Sequence, residues 1–213
     1  MKKRLASTLL ALALCLSLLP TAALAEGETP TQTVTEVDTQ DKLVAAVQND
    51  GEVKLTGNIE LTNKVTISKT VTLDLNGNML TGKITTEDNN NCAIEIKSSG
   101  NLTITDSTSD GTIGATITLQ AESSSTFHMT GNAINNGTII IEGETKFTMD
   151  GKAKSNGTIS VKKLDSSNNI IFGGQAEAGT VEINQAQEKA GICVEGSAKI
   201  AKLNGNRNSI MLT

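Results

Sequence analysis

The sequence predicts an all-β fold, a right-handed parallel β-helix, on three observations. Proline is missing from the body of the chain, apolar and polar residues alternate, and a block of about 20 residues repeats. The two prolines are Pro20 and Pro30, so residues 31–213 contain none. Proline removes a ladder hydrogen bond and is expelled from continuous sheets. Val65-Thr66-Ile67, Leu102-Thr103-Ile104, Ile94-Glu95-Ile96-Lys97 and Val181-Glu182-Ile183 alternate apolar with polar side chains. That period of two puts one face inside and the other in water. Clusters of Gly, Asn, Asp and Ser between these runs mark tight turns.

The repeat separates a solenoid from a sandwich. Residues Phe127 to Ile139 and Phe147 to Ile159 agree at eight of thirteen positions, at an offset of 20. A looser form runs through Ile170, Phe172, Gly174 and Ala176, then through Ile192, Val194, Gly196 and Ala198, at offsets of 23 and 22. Short strands and turns at this period form one coil, which buries its inner face only by stacking on its neighbours. From Gly51 to Thr213 there is room for roughly seven coils. With no Trp or Tyr and only Phe127, Phe147 and Phe172, the interior must be filled by Ile, Val, Leu, Ala and Thr.

The elements before the coils read differently. Lys2, Lys3 and Arg4 precede the uncharged run Leu9 to Leu19, Pro20 breaks it, and Ala23-Leu24-Ala25 supplies small residues at −3 and −1 of a cleavage site. That order predicts a Sec signal peptide over 1–25, cut after Ala25, because the apolar run is short of the ~20 residues of a membrane span. Leu14 stands where a lipoprotein signal ending at Cys15 would need a small residue. Residues 26–37 read as a flexible linker and 38–213 as a single β-helix domain. Within it, Asp38 or Thr39 can cap a helix, and Leu43, Val44 and Val47 share one side. A short capping helix over 38–50 is therefore expected.

Loss of residues 1–25 removes three basic residues and no acids, leaving 15 Lys+Arg against 23 Asp+Glu, a net charge of −8. Such a surface repels phosphate backbones and anionic lipid heads, and no basic cluster with interleaved aromatics offsets it. Nucleic-acid binding is excluded, and no second membrane span follows the signal.

Residues 38–80 resemble the opening of pectin-lyase-like surface proteins of Gram-positive, often gut-dwelling, bacteria. The resemblance rests on Asp38 to Val47, then Gly51-Glu-Val-Lys-Leu55, Ile59-Glu-Leu61, Val65-Thr-Ile67 and Val71-Thr-Leu-Asp-Leu-Asn-Gly77. Asn78 and Met79 stand where His-Thr is commoner. The resemblance implies a short helix capping the first coil and a place on the cell surface, not a chemistry. Lyases of this fold pair Ca²⁺-binding carboxylates with basic residues, yet after the signal only Arg207 and His128 accompany the lysines.

Inverting hydrolases need carboxylates ~6.5–9.5 Å apart across coils. Asp74, Asp106 and Asp150 lie near strands, but each adjoins a turn, where Asp is common for local hydrogen-bonding reasons. His128, between inward Phe127 and Met129, is expected to face solvent, with no second His to share a metal. Asp106-Ser-Thr-Ser-Asp110-Gly111 lacks the middle acid and distal Glu of a calcium loop and reads as a turn. Glu87-Asp-Asn-Asn-Asn91 is the longest polar interruption and the first choice among loops for recognition. Thr103-Ile-Thr105 and Thr116-Ile-Thr118 resemble ice-binding pairs but do not recur at every coil.

Cys92 shares parity with Ile94 and Ile96 and is expected inside, whereas Cys193, between Ile192 and Val194, is expected outside. At ~4.8 Å per coil they sit too far apart for a disulfide. No catalytic, metal or cofactor residues are assigned. The expected function is a non-catalytic secreted or cell-surface β-helix, adhesin-like or scaffolding, binding an extracellular protein or glycan. The alternative is a carbohydrate-active module, against which the lack of aromatic platforms counts. End-to-end self-association through residues 200–213 is expected, because an uncapped last coil offers open backbone groups.

Overall fold

The computed structural model describes residues 34–82, 92–114, 118–122, 124–142, 144–162, 169–184, 191–205 and 211–212. Residues 1–25, where a signal peptide is expected, with Cys15 among them, and residues 26–33, 87–91 and Arg207 lie outside these residues. In chain order come β1 (Val34–Val37), α1 (Gln40–Ala46), β2 (Gly51–Leu55), β3 (Ile59–Leu61), β4 (Val65–Ile67), β5 (Thr70–Asp74) and β6 (Met79–Gly82). Then follow β7 (Cys92–Ile96), β8 (Asn101–Thr105), β9 (Thr112–Ile113), β10 (Thr118–Ala121), β11 (Thr126–Met129), β12 (Ile134–Asn135) and β13 (Thr138–Ile141). The last are β14 (Lys146–Met149), β15 (Lys154–Val161), β16 (Asn169–Phe172), β17 (Glu177–Ile183), β18 (Gly191–Val194), β19 (Lys199–Asn204) and β20 (Met211–Leu212).

All pairings are parallel. One sheet orders its nine strands β1-β2-β5-β8-β11-β14-β16-β18-β20, and an eleven-stranded sheet holds the others. The result is a parallel β-solenoid of about six turns, close to the roughly seven that the repeat length predicts. The register is the one the repeat implies. Phe127 faces Phe147, Phe147 faces Ile170, and Ile170 faces Ile192 across successive rungs. Gly131, Gly151, Gly174 and Gly196 all have φ between +62° and +66°. A Cβ on Gly151 or Gly174 would lie 2.9 Å from the backbone nitrogen of the glycine one rung below. Both the backbone conformation and the close rung contact therefore require the repeated glycine.

The inward residues form one continuous apolar core from Val37 to Ile192, with the three phenylalanine rings stacked at centroid distances of 5.5 and 5.9 Å. Alternation holds in β8, where Leu102 and Ile104 are buried between half-buried neighbours. β7 departs from it, because every residue from Cys92 to Ile96 is buried, Glu95 included. The lysines of neighbouring positions fold over the outer face there and take Glu95 out of solvent.

α1 is shorter than the expected 38–50. Thr39 is its N-cap, its side chain accepting from the Lys42 amide at 3.4 Å, and Lys42 pairs with Asp38 at 2.7 Å. Leu43 and Val47 are buried and Val44 packs at the margin, as the spacing implies. β1 lies in the segment read as linker. It pairs with β2 from Val34–Glu52 to Val37–Leu55, and Val37 enters the core.

Candidate functional site

Tight corners follow β5 and β8, and each rung change there is held by a buried carboxylate. Asn76 and Gly77 take left-handed conformations (φ 48° and 75°), which lets the chain reverse and aim its amides inward. The Asp74 Oδ1 accepts from the amides of Asn76 and Ser107, each at 2.9 Å. Asp106 Oδ1 accepts from the Gly77 amide at 2.8 Å and from the Thr108 hydroxyl at 3.1 Å, while Oδ2 accepts from the Gly111 amide at 3.0 Å. With 3% and 1% exposure, both carboxylates are spent on backbone donors. Gly111 has no room for a side chain, since a Cβ would meet the Asp106 carboxyl carbon at 2.7 Å. The segment Asp106 to Gly111 is thus a turn closed on its own carboxylate.

His128 and Asp150 are brought together. In β11 His128 faces Thr103 and Thr148 of the adjacent rungs, and its Nε2 lies 3.0 Å from Asp150 Oδ1. His128 is half-buried against this partner instead of standing free in solvent as its parity alone suggests. Aligning the repeat at 20 residues places Thr148 beside His128 and Asp150 two positions on, so the pair was within reach of the sequence.

A second charged group surrounds Glu95. Lys64 and Lys97 place their Nζ atoms 2.9 and 3.0 Å from Glu95 Oε2, and Lys97 reaches Glu122 at 2.8 Å. Burial raises the Glu95 pKa, but the two lysines outweigh it and hold the carboxyl below its usual value of 4.5. A group so depressed stabilises the fold above the unfolded value and loses that stabilisation as pH falls through the folded one. Glu95→Gln is expected to cost about 1–2 kcal/mol at pH 7, as one partner of a buried charged pair whose lysines remain half-exposed. The gap between the urea midpoints of variant and parent should shrink as pH falls below the usual 4.5, and a gap that stays constant down to the acid unfolding of the parent would contradict the assignment. Next to this group, burial first and the Glu95 charge second push the Cys92 thiol up to about 11. Neither Cys92 nor Cys193 is in a disulfide. Cys193 is half-exposed on β18, with Sγ 3.1 Å from Glu195 Oε1.

Two hollows adjoin each other on β15, β17 and β19, flanking the column Lys154, Glu177 and Lys199. They measure about 430 and 410 Å³. A third, of about 400 Å³, lies between α1 and β1–β2 and carries Glu36, Asp50 and Glu52 against Lys42. Among the described residues no three His, Cys, Asp or Glu converge on a metal position.

The family model of the TamB C-terminal domain matches residues 40–175, well over half of the chain. The chain belongs to that family. No curated protein and no solved structure matches it. The TamB match replaces the pectin-lyase-like assignment suggested by residues 38–80, and what the two readings share is the parallel β-solenoid. In this chain the helix and Val-Thr-Leu-Asp-Leu-Asn-Gly serve the first coils, Asp74 closing the turn after β5, so the motif speaks to the fold and not to the family. TamB-domain membership points to a cell-envelope or surface setting. No helix among the described residues is long and apolar enough to cross a membrane. The matched segment takes in the Asp74–Asp106 corners, the His128–Asp150 pair and the first rung of the lysine-lined hollows, and stops before their last two strands.

Proposed function

We propose that this TamB-domain chain is a non-catalytic β-solenoid of the cell surface or secreted fraction, exported by the signal over residues 1–25. Its role is adhesin-like recognition or extracellular scaffolding toward a protein or glycan. The observation that carries this reading is the use of Asp74 and Asp106. Both are buried, and their oxygens accept from backbone amides of their own turn and of the neighbouring rung. A general acid or base must reach a substrate proton directly or through one water, and these carboxylates face the interior of their own turns. Asp150, the third candidate, is turned toward His128. The acidic surface and the repeated build support a binding role, and self-association through residues 200–213 remains part of the same proposal.

The test is incubation of the exported protein with a broad polysaccharide array and Ca²⁺, scoring both retention and new reducing or unsaturated ends. Retention without new ends, or neither, is expected. Cleavage of any glycan would overturn the non-catalytic reading in favour of a carbohydrate-active module.

A further inference from the structure

β15, β17 and β19 stack in register, with Lys154 beside Glu177 beside Lys199, and Ser155 beside Ala178 beside Ile200. Between Ser155 and Thr158, β15 carries one residue more than β17, so the ladder is irregular there. Such a bulge bends the strand and increases its local twist. One hollow includes Ser155 and Asn156 of this bulge, the other lies beside it toward Lys152, and the two share the Lys154–Glu177–Lys199 column. Lys152, Gln175 and Ser197 line one side, and Asn156, Ala178 and Ile200 line the other.

The charge in this notch is unbalanced. Lys154 pairs with Glu177 at 2.8 Å, and that pair holds the Glu177 carboxyl below its usual range. Lys152 and Lys199 make no ion pair among the described residues, so three cations face one anion. This stands on a chain whose formal net charge is −5. The exposed Lys154–Glu177 pair holds little energy of its own and can yield to a better partner.

We propose that the notch binds an extended acidic peptide segment of a partner protein, laid along the solenoid axis with its carboxylates three residues apart. The inference rests on the recognition reading above and names the partner chemistry. Rungs repeat at ~4.8 Å, so Lys154 and Lys199, two rungs apart, sit ~9.6 Å from each other. A polyproline-type peptide rises ~3.1 Å per residue with three residues per turn, so positions i and i+3 share a face ~9.3 Å apart. The two spacings agree. Glu177 occupies the rung between the lysines and repels a carboxylate there, which selects acid-x-x-acid over an unbroken acidic run. A polyproline-type backbone has no internal hydrogen bonds, and Asn156, Gln175 and Ser197 offer it partners. Exposed Ala201 and half-buried Ile200 supply the apolar contact for the residues between the acids.

Other anionic classes fit less well. A glycan has no aromatic face here on which to stack. Membrane recognition relies on clusters of four to eight basic residues, more than this notch holds.

The experiment uses the whole exported protein and a labelled peptide that repeats Glu-Pro-Pro, read by fluorescence anisotropy at low and high salt. Saturable, salt-weakened binding is expected. Lys199→Glu should lose about fivefold or more in affinity, and Glu177→Gln should gain, with thermal midpoints unchanged because both side chains are exposed. A peptide of equal charge with its glutamates adjacent should bind more weakly. Equal binding by parent and Lys199→Glu would overturn the proposal. So would Lys199-dependent binding of polygalacturonate or of anionic phosphatidylglycerol vesicles without binding of the peptide. Neither result bears on catalysis, which the glycan array decides separately.

Discussion

Phe147→Ala is expected to destabilise the solenoid by about 3–5 kcal/mol, the range for deleting a large buried aromatic. Phe147 is fully buried and sits between two other rings, 5.5 Å from Phe127 and 5.9 Å from Phe172. Each tilted or edge-on ring contact adds about 0.5–1.5 kcal/mol beyond the area buried. The central ring loses two such contacts and the outer rings one each, so Phe127→Ala and Phe172→Ala should cost less. Phe147→Leu keeps most of the volume and should recover much of the loss. Urea denaturation monitored by circular dichroism would rank the four variants. A cost for Phe147→Ala below about 1 kcal/mol would show that the rings are not packed as a column.

Asp106→Ala should be the next most damaging change, at about 3 kcal/mol or more. It removes a buried acceptor from the amides of Gly77 and Gly111 and from both the amide and hydroxyl of Thr108. Hydrogen bonds to a charged group contribute about 1.5–3 kcal/mol each, and a buried donor left unpaired costs about 1–3. These are not additive, because the turn will relax and admit water. Asp106→Asn keeps one acceptor but sets an NH₂ group against an amide, so it should recover only part of the loss. Thr108→Val removes one hydroxyl bond and should cost about 1 kcal/mol. If Asp106→Ala unfolded no more readily than Thr108→Val, the carboxylate would not be holding two rungs together. The site would then reopen as a candidate for chemistry.

Several features of this chain are local or periodic and were legible in residue order. A period of two assigns a face to each strand residue, and Thr39, Leu43 and Val47 mark a capped amphipathic turn without reference to anything distant. The 20- to 23-residue repeat gave the register of the Phe127–Phe147–Ile170–Ile192 column before any coordinates, since equivalent positions of successive coils must stack. Parity likewise placed Cys92 inside.

The acidic residues were legible only in part: the local turn bonds of Asp74 and Asp106 were expected, but their cross-rung partners and those of Glu95 were not. Asp74 and Asp106 adjoin turns in the sequence, but their partners Ser107 and Gly77 lie 33 and 29 positions off. The offset of 31 residues between paired positions of β5 and β8, as in Val71–Leu102, falls outside the 20- to 23-residue repeat. Glu95 alternates with Ile94 and Ile96 and reads as exposed, yet Lys64 and Lys97 close over it. The lysine notch depends on one extra residue in β15 and on the in-register stacking of Lys154, Glu177 and Lys199 on three rungs. The sequence alone therefore determined that the chain is a parallel solenoid, and which residues fill it, because burial follows a short period. Only the tertiary structure decided what its charges do, because opposite charges meet across rungs, and loops of unequal length set which ones meet.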